Sequence, residues 1–150
     1  MIILRVYKGI ADHFPLRLTE WVMMLPTFGM AAAFQASPDM FAVSPSFGSL
    51  ARWADEGTWG LIVLFCGVVR LAALTINGTF QGFRFSPHLR SGASLLGIFF
   101  WSQWTLGFLL SWASFGGAPS AIVAYGTFCA MELANLTRSG SDIGKDIRGA

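Results

Sequence analysis

The chain has 150 residues, of which 54% are hydrophobic and 12% charged, with a net charge of +2 and a mean hydropathy of +0.58. Soluble domains carry about 25% charged residues, so this chain has too little charge to coat a water-facing surface, and much of its surface is expected to face lipid. The net charge makes no case for a nucleic-acid partner. Cys66 and Cys129 both lie inside apolar runs, which excludes a secreted disulfide framework. No CxxC, HExxH, P-loop or GxGxxG pattern occurs, so no metal, cofactor or catalytic constellation is expected.

In residues 1–16, Ile3, Val6, Tyr7, Ile10 and Phe14 fall on one helical face, with Arg5, Lys8 and Asp12 on another. This pattern predicts a helix lying flat on a membrane surface; a frayed basic N-terminus fits the same residues. Residues 1–33 also admit a reading as a long signal peptide cleaved at Ala31-Ala32-Ala33, which Asp12 and Glu20 argue against. A helical span needs about 20 predominantly apolar residues. The first is predicted at 18–37, with a kink where Pro26 withholds a backbone donor. The loop 38–57 carries Ser37-Pro38, Ser44-Pro45 and an amphipathic stretch through Leu50 and Trp53, expected to rest on the outer membrane surface.

The second span is predicted at 58–77, apolar apart from Arg70. From Ser91 to Met131 there are 41 residues without a single Asp, Glu, Lys or Arg, enough for two crossings. Gly116-Gly117 followed by Pro119 supplies the reversal, which places the third span at 91–113 and the fourth at 118–137. Trp21, Trp59 and Trp112 fall at span ends, where indoles favour headgroups, whereas Trp101 and Trp104 lie deeper and are expected to pack between helices. The tail 139–150 is polar and Gly-rich and is expected to be flexible. The whole chain, 1–150, reads as one all-α membrane domain, a four-transmembrane-helix bundle.

Basic residues set the orientation. Arg5, Lys8 and Arg17 precede the first span, Arg84 and Arg90 sit between the second and third, and Arg138, Lys145 and Arg148 follow the fourth. The loop between the first two spans has one cation, Arg52, beside Asp39, Asp55 and Glu56, and the last loop has none. Both termini are therefore expected to be cytoplasmic.

Ionisable groups inside a membrane are costly and mark places to look for function. Arg70 and Glu132 are the two that fall inside predicted spans, each about 9–10 Å from the cytoplasmic boundary at helical rise. At equal depth they admit an ion pair that fixes helix register. Arg70 snorkelling to the headgroups, or a proton or ion path through both residues, fits the same positions. Glu20 is expected to face headgroups. No His lies in a span, so intramembrane haem is disfavoured, and Cys66 and Cys129 are expected as free thiols. Gly126, Ala130 and Ala134 repeat every four residues, a stripe that lets helices approach closely, within the monomer or between copies.

Residues 70–90 read RLAALTINGTFQGFRFSPHLR, with Asn77-Gly78 expected to end one helix in a left-handed glycine cap and Ser86-Pro87 to open the next, Ser86 capping its free amides. Arg84, His88 and Arg90 make this loop a membrane-anchored turn or a docking surface for a protein partner. The run, together with Glu132-Leu133-Ala134-Asn135, resembles small, mostly uncharacterised multi-spanning membrane proteins of tailed phages and prophages of proteobacteria, over residues 58–138. The resemblance implies a phage-type origin, a bacterial inner-membrane location and no established activity. Without a catalytic constellation, the expected roles are a holin-like protein that self-associates and permeabilises the membrane, or a structural or anchoring subunit. A small transporter or channel using Arg70 and Glu132 is the third.

Overall fold

A computed structural model of the chain describes residues 2–80 and 83–149, with side chains described except at 2, 3, 5, 6 and 146–149. Gln81 and Gly82, and the side chains of Ile3, Arg5, Val6 and Arg148, thus lie outside the described residues. Among the described residues the fold is entirely helical: α1 (Ile2–His13), α2 (Leu18–Val22), α3 (Met24–Ala36), α4 (Met40–Val43), α5 (Gly48–Ala51), α6 (Glu56–Thr79), α7 (Ser86–Phe115) and α8 (Pro119–Gly149), with single 3-10 turns at Pro15–Arg17 and Pro45–Phe47. Of these, α6 and α7 are long and apolar enough to cross a membrane.

Local chemistry sets the helix ends. Asp55 is extended and accepts the Thr58 amide at 2.6 Å, an N-cap that starts α6; that bond holds its carboxyl below the ordinary value. Gly116 adopts φ 69°, the left-handed conformation open to glycine, and its amide closes on the carbonyls of Ser111 and Trp112 to end α7. Pro119 then begins α8, so the reversal falls where the Gly-Gly-Pro punctuation places it. The expected left-handed cap at Gly78 does not form: α6 runs on to Thr79. Gly78 instead meets Gly9 of α1 backbone to backbone, where a Cβ on Gly9 would collide with the Gly78 carbonyl and one on Gly78 would be crowded by Gly9. Nor does Ser86 cap α7; its hydroxyl donates to Asn77 Oδ1 at 2.8 Å.

Two further expectations need correction and one is sharpened. The segment 18–37, where a kink is expected from Pro26, divides into α2 and α3 at Met23. The break lies one turn before Pro26, because proline lacks the donor for Val22 and its ring crowds that carbonyl. The tail is not a loose end: α8 continues to Gly149, held by Asp142 as described below. The loop 38–57 folds into α4, a 3-10 turn and α5, and it buries Ser49 and Leu50 in the end of the bundle. There Ser49 N–H donates to Ser111 Oγ, Trp59 Nε1 to the Leu50 carbonyl, and Ala118 N–H to Ser46 Oγ. Trp59 is accordingly buried rather than at a surface, while Trp112 is 49% exposed.

The molecule has two unlike ends. One gathers Lys8, Arg17, Arg84, Arg90, Arg138 and Lys145; the other carries Asp39, Asp55 and Glu56 with Arg52. Near this acidic end the core is aromatic. Trp104, fully buried, lies 5.3–6.2 Å from the rings of Phe34, Phe47, Trp59, Phe100, Phe108 and Tyr125. The long helices turn apolar side chains outward, with Leu61 65%, Phe65 59% and Phe99 60% exposed, while Arg70, Arg90, Glu132 and Asn135 are buried.

Candidate functional site

The buried charged groups fall into two ion clusters. The first joins α6 to α8: Arg70 Nη2 donates to Glu132 Oε2 at 2.5 Å and to the Ala93 carbonyl of α7 at 3.3 Å. Both side chains are almost fully buried, at 4% and 1% exposed, which leaves no room for the snorkelling alternative. The carboxylate lies against α7 because position 97 is glycine; a Cβ there would stand 2.5 Å from Glu132 Oε1. Cys66 and Cys129, both free thiols, sit one helical turn from Arg70 and Glu132 respectively.

The second cluster lies at the basic end. Arg90, 1% exposed, grips Glu20 through Nε at 3.1 and 3.0 Å to the two carboxylate oxygens, and again through Nη2. Its Nη1 reaches Asp142 Oδ2 at 3.0 Å, and Arg17 Nη2 meets the same oxygen at 2.8 Å. Two cations and two carboxylates thereby tie α2, α7 and α8 together. Partial burial opposes ionisation of Asp142, but the hydrogen bond from Arg90 and the charges of Arg17 and Arg90 outweigh it and hold the carboxyl below its ordinary value. Between the clusters, Thr19 Oγ1 donates to Asn135 Oδ1 at 2.6 Å and accepts from Arg138 Nη1 at 3.0 Å. Ser91 Oγ donates to Ser139 Oγ at 2.8 Å.

Of the residues singled out from the sequence, the structure brings Arg70 and Glu132 together. It separates the loop candidates: Arg84 and His88 are exposed, but Arg90 is consumed inside the bundle and is not a docking residue. Gly126 is half-buried and has Thr105 3.8 Å from where its Cβ would be; Ala130 and Ala134 are exposed. The stripe therefore does not serve as a packing seam within the monomer. With Ser102, Leu106 and Cys129, Gly126 and Ala130 border a shallow apolar groove between α7 and α8.

Glu20 and Asp142 were not foreseen as partners of Arg90. Glu20 stands at the edge of an apolar run and Asp142 in a polar, Gly-rich stretch, places where a charge reads as solvated; the one available signal was that acids and bases flank the same ends. Chemically, the clusters neutralise themselves. Among the described residues no three His, Cys, Asp or Glu side chains are grouped to hold a metal. Polar groups approach the Arg70–Glu132 pair from the basic end, whereas towards the acidic end the aromatic core closes the bundle. No family model matches the chain, and neither a curated protein nor a solved structure is significantly similar to it.

Proposed function

We propose that the chain is a non-catalytic integral membrane protein of phage type, a four-pass bundle in the bacterial inner membrane with both termini cytoplasmic, which works holin-like by self-association. The observation that carries the membrane part is the inverted polarity: exposed Leu61, Phe65 and Phe99 outside, ion pairs within. Water favours the opposite arrangement, whereas in hydrocarbon polar groups turn inward to find partners. Residues 18–36 reach about 28 Å at helical rise, near the hydrocarbon thickness of about 30 Å, so a broken first crossing is long enough. Glu132 and Asn135 lower the hydropathy of α8, but both are buried and neither meets lipid.

Self-association is supported by the outward Ala130 and Ala134 beside the α7–α8 groove, in a monomer whose core near the acidic end is filled by packed aromatic rings. A structural or anchoring subunit is the second reading, favoured by a bundle already neutralised and braced internally. Induced expression in bacteria separates the two: abrupt loss of membrane potential is expected of the first, and normal growth at high expression of the second. Reporter fusions test the frame beneath both. Termini on opposite faces, or a protein that stays in solution without detergent, would overturn it.

A further inference from the structure

We propose that residues 83–89, which lead into and begin α7, are a binding surface for anionic phospholipid headgroups, with Arg84 as the phosphate-contacting cation. The proposal rests on the membrane-embedded reading and adds to it which residue meets which leaflet chemistry.

Internal pairing spends two of the acids at the basic end. Glu20 and Asp142 are taken by Arg90 and Arg17, and among the described side chains there Asp12 is the exposed carboxylate left outside those pairs. Exposed Lys8 and Arg84 have no ion pair among the described residues, and Arg138 binds only a hydroxyl. The result is a cationic rim at one end of an apolar exterior, the charge complement of an anionic leaflet. At the opposite end Arg52 is the one cation in a segment that also carries Asp39, Asp55 and Glu56, so the same attraction does not arise there.

Arg84 is the best placed of the rim cations. Its guanidinium lies 5.1 Å from the centroid of the Phe85 ring. Stacking on an aromatic face orients the planar group while leaving its in-plane donors open to a phosphate. Phe80, Phe83 and Phe85 are 54%, 42% and 50% exposed, and Leu89 continues the apolar surface on α7. Aromatic rings beside a stacked cation suit the headgroup layer, where apolar and charged groups are satisfied together. The turn is held in place from behind: Ser86 binds Asn77, and the amides of Phe83 and Ser86 close on the carbonyls of Phe80 and Phe83.

The test uses the full-length protein in neutral detergent, titrated with phosphatidylglycerol or phosphatidylcholine and read by native mass spectrometry, with inorganic phosphate as a further arm. Phosphatidylglycerol is expected to be retained preferentially, and Arg84→Gln to weaken its retention about fivefold, the scale of one cation at an anionic surface. Arg84→Lys should restore part of that loss, and Arg52→Gln should change nothing. Because Arg84 is exposed, its variants are expected to fold, and unchanged melting in detergent checks this. Equal retention of the two lipids, competition by millimolar inorganic phosphate, an Arg84→Gln variant with unchanged preference, or a co-purifying protein that blocks the turn would each overturn the proposal. A protein that still needs detergent for extraction in those cases leaves the membrane reading standing.

Discussion

The two halves of this bundle are held together by different physics. Towards the basic end, α2, α6, α7 and α8 are joined by ion pairs and hydroxyl bridges; towards the acidic end α3, α6, α7 and α8 are joined by interlocking rings around Trp104. Aromatic packing tolerates small displacements, because dispersion is summed over many weak contacts. A buried ion pair does not. Its stability depends on both partners being present, since removing one leaves the other desolvated and unpaired. We therefore propose that the basic half specifies register and the aromatic half supplies bulk cohesion.

The sharpest way to break this contrast is at Glu132. Glu132→Ala strands the Arg70 guanidinium, and a loss of about 3–5 kcal/mol is expected in SDS-driven unfolding from mixed micelles. The double change Arg70→Leu with Glu132→Leu should recover most of it, because an apolar pair has no charge to strand. If the double variant is as unstable as the single one, the pair is not what orders this half. In the aromatic half, Trp104→Ala should cost about 3–5 kcal/mol through the cavity it leaves. No single neighbouring substitution should rescue it, since six rings share the loss.

A smaller effect is expected at Gly97. Gly97→Ala pushes the Glu132 carboxylate off α7, at about 1–3 kcal/mol for overpacking, and the same substitution in a Glu132→Leu background should cost a different amount if the coupling is real. Smaller still is the pH response of the basic end. The Asp142 carboxyl is held below its ordinary value of 3.8, so its contribution is complete above that value and fades as pH falls through the lowered one. Amide exchange in residues 138–149 should accelerate across that acid window, and Asp142→Asn should abolish the dependence while raising exchange at neutral pH. Least of all, Asp55→Ala removes one exposed cap, and exchange should quicken only in the first turn of α6.

The elements were largely legible because hydrophobic run length and helix punctuation are local properties. The charge-free stretch 91–131 and its Gly-Gly-Pro interruption located the α7–α8 reversal before any packing was considered. The equal depth of Arg70 and Glu132 brought that pair into view for the same reason, since rise per residue converts sequence distance into depth. The second cluster was hidden. Glu20 and Asp142 lie just outside the long apolar runs of the sequence, and nothing along the chain distinguishes a charge facing headgroups from one facing a neighbouring helix.

What the sequence by itself determined is therefore the class of molecule and its polarity: apolar helices, a basic end and an acidic end, and two charges too deep to be solvated. Only the tertiary structure decided which partners those charges take, that α8 runs on past Ser139 because Asp142 is tied to Arg17 and Arg90, and that Arg84 stays outside while Arg90 goes in. Hydropathy and helical rise act along one chain, but the side to which a charge turns is settled by the counter-charge that another helix brings to it.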